Sequence, residues 1–231
     1  MWRRREFCGL LPGLALAGTA VQVAAAAGEG SLRWKELRYA GVVAGHESIP
    51  RGAVAVEIRL DSYDAKTGLP PRELIERVAT AASAKGAERL IVNGRACYDG
   101  RLDRAALTSK CIALNQAGRF CLSKRLGFRY RTGRGEFGGN ALEMEETMLR
   151  TNPEVVGVAM DAAEAHKAGA DMVNFFARHQ TRMDCIFIHE WDTVPYAKLA
   201  AEIARRQWQG WLVQSPASAQ ARRAVTRIFG V

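Results

Sequence analysis

Apolar and polar positions follow two different periods along this chain. Short, nearly continuous apolar runs, VAVEIRL, RLIVNG, LGFRYR, VVGVAMD, CIFIHEWD and GWLVQS, alternate with longer stretches in which apolar residues recur every three or four positions. A short apolar run between helical patterns reads as a strand buried on both faces. The longer stretches read as helices. PRELIERVATAASAKG opens at Pro70 and Pro71, places Leu74, Ile75, Val78, Ala81 and Ala82 on one face, and stops at Gly86. LDRAALTSKCIALNQAGRFCLSKRLG is a helix ending near Arg125, and NALEMEETMLRTN is one with an acidic first half and Arg150 near its end, as the helix dipole favours. DAAEAHKAGADMVNFFARHQ is helical with a break near Gly169; PYAKLAAEIARRQW and a closing PASAQARRAVTRIFG complete the set.

Six strand-helix units in series argue for an α/β fold: a parallel sheet with helical crossovers. A closed (β/α)8 TIM barrel typically needs ~250 residues. This chain is shorter, and LRYAGVVAGH holds at most one further strand. The expected architecture is a (β/α) TIM-type barrel that is incomplete or irregular in its N-terminal quarter. No strand is followed by GxGxxG, which weighs against a dinucleotide fold. No repeat, linker or low-complexity stretch marks a second domain.

The first residues change where such a barrel is expected to work. MWRRREFCGLLPGLALAGTAVQVAAAAGEG has a basic head, a short apolar middle broken by Pro12 and Gly18, and a run of small residues. That is the layout of an export signal over residues 1–27, cleaved after Ala26 or Ala27. The paired arginines followed by Phe7 resemble a bacterial twin-arginine signal, which implies the twin-arginine export machinery as a partner and a periplasmic or otherwise exported destination. The apolar run is too short and interrupted for a span, and no stable membrane span is expected after cleavage. Cleavage leaves about 205 of the 231 residues as one barrel domain, 28–231.

Net charge is +9, of which Arg3, Arg4 and Arg5 against Glu6 account for +2. The remainder is dispersed, without the basic and aromatic stripe of a nucleic-acid binder, so no nucleic-acid partner is expected. Cys97, Cys111, Cys121 and Cys185 remain after the signal, an even number that permits one or two disulfides in an oxidising compartment. Their spacing matches no zinc pattern, and burial in helix and strand is the simpler fate.

Candidate chemistry lies where the strands end, because parallel barrels build their sites at the carboxyl ends of strands. VVGVAMD ends at Asp161 and CIFIHEWD turns polar at His189. Either could ligate a metal; equally, Asp161 could cap the next helix and His189 could be a satisfied core histidine. Arg129 and Arg131 share a strand face, either lining an anion-accepting pocket or ion-paired to neighbouring strands. His46 reads as a loop residue, and His166 and His179 as helix surface. Trp208 and Trp211 flank a glycine turn and seal the barrel.

Four segments together resemble the sugar phosphate isomerase/epimerase family of xylose isomerase-like TIM barrels. LGFRYRTGRGEF is similar to a family strand ending in His-Asn-His followed by a glutamate. NPEVVGVAMDAAEAHKAG resembles its Val-Gly-Leu-x-x-Asp strand, CIFIHEWD its His-Leu-Lys-Asp strand, and QGWLVQSP its Gly-Trp-x-Val-x-Glu last strand. The resemblance implies a divalent metal ion (Mn, Mg, Co or Zn) held by Glu136, Asp161, His189 and either Gln214 or Ser215. It also implies a sugar or sugar derivative as substrate, and Glu136 as a catalytic base that moves a proton next to the sugar carbonyl.

The departures are specific. The last-strand glutamate is absent, since neither Gln214 nor Ser215 is a carboxylate. Arg129, Tyr130 and Arg131 replace His-Asn-His. Glu164 stands where a histidine is frequent; it or Glu190 is the candidate to replace the missing catalytic carboxylate. Glu190 and Trp191 follow His189 as candidate substrate contacts alongside Arg129 and Arg131. Two functions follow: an exported metal-dependent isomerase or epimerase, or a non-catalytic carbohydrate-binding relative with a degraded metal site.

Overall fold

The computed structural model describes residues 19–25, 32–43, 49, 53–59, 63–190, 193–214, 223, 227 and 228. The chain starts with a hairpin of β1 (Thr19–Ala25) and β2 (Leu32–Val43), then β3 (Ala55–Arg59), α1 (Arg72–Ala84) and β4 (Arg89–Asn93). A small hairpin of β5 (Tyr98–Asp99) and β6 (Arg101–Leu102) precedes α2 (Arg104–Ser123) and β7 (Gly127–Arg131). There follow α3 (Gly138–Arg150), β8 (Gly157–Asp161), α4 (Ala162–Lys167), α5 (Met172–His179), β9 (Met183–Ile188), α6 (Tyr196–Arg205) and β10 (Trp211–Gln214).

Eight strands close into a barrel in the order β1-β10-β9-β8-β7-β4-β3-β2. Neighbours from β2 round to β10 pair parallel, while β1 runs antiparallel to both β2 and β10. The irregular first quarter is thus a long hairpin in place of β/α units. β1 lies within the segment read as an export signal. His46 lies outside the described residues, as does the closing helix apart from Arg223, Arg227 and Ile228, which are helical.

Local chemistry sets the boundaries. Asp103 caps α2 by accepting from the Ala105 and Ala106 amides at 3.0 Å. Within α3, Gly139, Asn140 and Ala141 have left-handed dihedrals, so the regular helix begins close to where NALEMEETMLRTN places it. Gly169, at φ 75°, separates α4 from α5, as its position in the sequence predicts.

Strand alternation divides the core in two. The outer layer, between strands and helices, holds Phe128, Tyr130, Val158, Met160, Ile186 and Ile188. The barrel interior holds Ala55, Ile91, Ala159, Cys185, Phe187, Trp211 and Val213. At its amino-terminal end Arg129 bonds Asp184 twice, Nε to Oδ1 at 2.5 Å and Nη2 to Oδ2 at 2.6 Å. Arg89 joins Asp184 at 2.9 Å and lies 3.9 Å over the Trp211 ring. Trp208 packs edge-on against Phe176 and donates to the Met183 carbonyl at 2.7 Å, so the two tryptophans seal that end from outside and inside.

The four cysteines after residue 27 are free thiols. Among the described residues, no helix is long and apolar enough to cross a membrane. Gly118 of α2 presses against the chain leading into β8: a Cβ there would lie 2.5 Å from the Val155 carbonyl oxygen. Gly118→Ala is therefore expected to cost about 1–3 kcal/mol by overpacking, read as a thermal midpoint roughly 2–4 °C lower per kcal/mol for a chain of this size.

Candidate functional site

Four strand ends converge at the carboxyl-terminal mouth of the barrel. Asn93 and Gly94 after β4, Arg131, Thr132 and Gly133 after β7, Asp161 and Glu164 after β8, and His189 after β9 line a cavity of about 380 Å³. Its floor is charged. Asp161, 1% exposed, accepts from Arg131 Nη2 through Oδ2 at 2.7 Å and bonds His189 Nε2 through Oδ1 at 2.8 Å. Arg131 Nη1 reaches Glu57 Oε1 on β3 at 2.6 Å, and its guanidinium lies 3.8 Å over the Phe187 ring.

Of the two roles open to it from the sequence, the cap is the one that Asp161 fills. It caps α4, accepting from the Glu164 amide at 3.1 Å, and it faces the mouth. Its own amide donates to Thr132 Oγ1 at 2.9 Å, which ties the ends of β7 and β8 together. His189 is positioned through its backbone: its amide donates to the Tyr196 hydroxyl at 3.1 Å, and that hydroxyl donates to the His189 carbonyl at 2.5 Å. Its second ring nitrogen, Nδ1, lies 3.5 Å from Glu190 Oε1. Glu190 has φ 56°, a left-handed value that costs a side chain some strain and turns the strand sharply into the loop.

Burial disfavours the Asp161 carboxylate, but the His189 bond and the Arg131 charge outweigh it and hold the carboxyl below its usual range. The Asp161 bond raises the His189 imidazole above its ordinary value against the opposing effect of burial. Glu57 and Asp161 likewise outweigh desolvation at Arg131 and hold its proton more tightly.

The other expected site residues separate. Glu136 does not join Asp161 and His189, which corrects the four-ligand and base assignments built on it. It follows β7 on the outer side of the sheet, 2% exposed, where it accepts from the Tyr130 hydroxyl, the Gly133 amide at 3.0 Å and Lys110 Nζ at 3.3 Å. Lys110, fully buried, also bonds Glu143 Oε1 at 2.7 Å and the Arg95 carbonyl at 2.9 Å. Tyr130 faces the helices because Arg129 and Arg131 face inward, and it takes Glu136 with it.

Arg129 is at the opposite end of the barrel from the mouth, so the two arginines share a face but not a pocket; both are ion-paired. Glu164 lines the mouth and bonds Lys167 at 2.9 Å. Glu190 is at the rim, held by Lys167 at 2.5 Å. The Gln214 backbone pairs with Ile188 in β10, while its side chain, Trp191 and Ser215 lie outside the described residues. His179, read from sequence as surface, stacks on Phe175 at 4.7 Å between ring centroids and bonds Glu145 at 3.0 Å.

Two residues escaped the sequence reading. Glu57 is a lone carboxylate in the middle of VAVEIRL, a signal in itself, because an apolar strand holds a charge only against a partner. Asn93 closes RLIVNG as Asp161 closes VVGVAMD, and strand register sets it beside Arg131.

A divalent ion at this mouth would draw on Glu57, Asp161 and His189. As arranged, the Glu57 and Asp161 oxygens facing one another are taken by the Arg131 guanidinium, and the second Asp161 oxygen by the His189 ring and the Glu164 amide. Among the described residues no set of three carboxylate, imidazole or thiol side chains is placed to hold one ion. The residues do not fit the metal that the family resemblance implies.

Two measurements follow from these pairings. The raised His189 value adds stability in full below its ordinary pKa near 6.5, lost as pH climbs through the folded value. The lowered Asp161 value adds stability above about 3.8, lost as pH falls through the folded value. Asp161→Asn should therefore lower the urea midpoint more at pH 5.5 than at pH 9; equal losses would contradict the pairing. Separately, Lys110→Met strands two buried carboxylates and should cost about 3–5 kcal/mol in urea unfolding.

No protein-family model and no curated protein matches the sequence. Solved structures do. A 3-keto-D-glucoside 4-epimerase from E. coli superposes with a TM-score of 0.61 at 11% identity, over 78% of this chain and 79% of that one. A D-allulose 3-epimerase from Methylomonas sp. gives 0.58 at 14% identity, over 76% and 68%. A sugar phosphate isomerase/epimerase from Parabacteroides distasonis gives 0.54 at 12% identity over 73% of this chain, which spans 64% of that protein's length, and of a second such structure 60%. At these identities the likeness establishes the fold: an α/β barrel of the kind found in xylose isomerase-like sugar isomerases and epimerases.

Proposed function

We propose that this chain is an exported protein of the sugar isomerase/epimerase kind, which moves a proton next to the carbonyl of a sugar or sugar derivative bound at the barrel mouth. One observation carries the proposal: an Asp161–His189 pair set at adjoining strand ends over a cavity of about 380 Å³, large enough for a small ligand. Support for a sugar comes from the fold, which is similar to that of a D-allulose 3-epimerase bound to D-allulose.

His189 is the proton carrier in this scheme. With Nε2–H donated to Asp161, the Nδ1 lone pair takes a proton from the carbon beside the carbonyl, and Asp161 stabilises the imidazolium that forms. The electrons of the broken C–H bond move into an enediolate. Return of the proton to the neighbouring carbon, with the hydroxyl proton passing to the former carbonyl oxygen, isomerises the sugar; delivery of a proton to the opposite face of the first carbon by a second acid epimerises it. Glu164 is a second carboxylate lining the same cavity, paired with Lys167. Glu136 has no part, sealed among Lys110 and Tyr130.

Residues 1–27 take the protein out of the cytoplasm in the same proposal, on the strength of the Arg3–Arg5 run, Phe7 and the small residues up to Ala27. The mass of the exported chain checks this directly: loss of the first 26 or 27 residues, and β1 with them, abolished by replacing Arg4 and Arg5 together with lysine, is the expected result, leaving β2 to β10 in the exported barrel.

A second reading, a carbohydrate-binding relative without catalysis, is favoured by the enclosure of Glu136 and the lack of a carboxylate at Gln214 or Ser215. Incubation with pentoses and hexoses in deuterated water, followed by NMR, separates the two. The enzyme reading expects loss of a carbon-bound proton signal, slowed on the order of 100-fold or more by His189→Gln. Saturable binding without exchange selects the second reading. Neither binding nor exchange with any sugar defeats both.

A further inference from the structure

At the mouth, the space between two buried carboxylates is filled by a guanidinium. We infer that Arg131 is the resident cation of this site, its guanidinium supplying by covalent attachment the positive charge between Glu57 and Asp161, so that the site works without a bound metal. The inference rests on the mouth being the ligand site, but not on which sugar enters it.

Four features of the structure support it. Arg131 spans two strands, bonding Glu57 of β3 at 2.6 Å and Asp161 of β8 at 2.7 Å, one through each terminal nitrogen. Those are the lengths of charge-assisted hydrogen bonds, so each carboxylate is held by its own terminal nitrogen of one cation. Both carboxylates are withdrawn from water, Glu57 fully and Asp161 nearly so, and a buried carboxylate persists only beside positive charge. The flat face of the guanidinium lies 3.8 Å over Phe187, a contact that suits a planar, weakly hydrated cation and not an ion carrying a water shell. The strand fixes the arrangement: Arg131 closes β7 in register with Asn93 of β4, and Thr132, the next residue, is tied to the Asp161 amide. A divalent ion arriving here meets a fixed like charge and oxygens already engaged.

The consequence is a site whose charge cannot be stripped by chelation, and one whose metal affinity is latent. Removing the guanidinium frees Glu57 and Asp161 beside His189, two carboxylates and an imidazole of the type that binds Mn2+ or Zn2+ once they close on an ion.

Titration of the purified chain with Mn2+, followed by electron paramagnetic resonance of the free ion, tests this. The wild type is expected to show no stoichiometric binding up to millimolar ion. Arg131→Gly is expected to bind about one ion at least 100-fold more tightly than wild type. Adding Asp161→Asn to that variant should abolish the binding, and free guanidinium ion should compete for the vacated place. A wild-type chain that takes up one Mn2+, lost on Asp161→Asn, overturns the inference; so does a folded Arg131→Gly that binds none. If Arg131→Gly does not fold alone, refolding with guanidinium or Mn2+ decides: rescue by either cation supports a cation's place, and rescue by neither overturns it. None of these readouts involves sugar, so failure of turnover and failure of this inference are distinguishable.

Discussion

Two carboxylates buried at the mouth of a barrel cannot both stay ionised without a positive charge between them. In this protein that charge is Arg131, and most of the site follows from its placement. Its reach from β7 to Glu57 and Asp161 couples three strands. Its charge holds Asp161 ionised, Asp161 in turn binds His189 and raises its affinity for a proton, and Tyr196 clamps the His189 backbone. The same link fixes a polar floor beneath the cavity while the interior below stays apolar, with Phe187 as the boundary between the two.

The alternation of β7 decides what else is available. Arg129 and Arg131 point inward, so Phe128 and Tyr130 must pack beneath the helices. Gly157 on β8 makes room for the first arginine, since a Cβ there would lie 2.6 Å from Arg129 Cδ. Tyr130 then recruits Glu136 to the outer layer, where the Tyr130 hydroxyl, Lys110 and the Gly133 amide satisfy it. Burial and the two glutamates act in opposition on Lys110, and the glutamates prevail: its proton is held above the ordinary lysine range. A carboxylate enclosed in this way supports the packing of α2 and α3 on β7 and is closed to a ligand at the mouth.

Much of this was legible in the sequence, for physical reasons that can be named. The six apolar runs became six strands because continuous burial leaves a periodicity no helix shares. Asp161 and His189 converged because parallel strands end on one side of a barrel. The N-terminal hairpin was less visible: LRWKELRYAGVV mixes charges with apolar residues and carries no clean period. The separation of Glu136 could not be read from spacing, because a glycine-rich turn, RTGRGEFGG, leads to either face of the sheet and only packing against Tyr130 and Lys110 selects one. Glu57 was legible in principle as a charge inside an apolar strand. Its partner was not, since Arg131 lies 74 positions away and only barrel curvature brings them together.

Crystallisation in the presence of millimolar Mn2+, with anomalous diffraction recorded at the manganese edge, tests the central claim most directly. Guanidinium density between Glu57 and Asp161 is expected, with no anomalous peak at the mouth. A peak bonded to Asp161 and His189, with the Arg131 side chain turned away from Glu57, would contradict it.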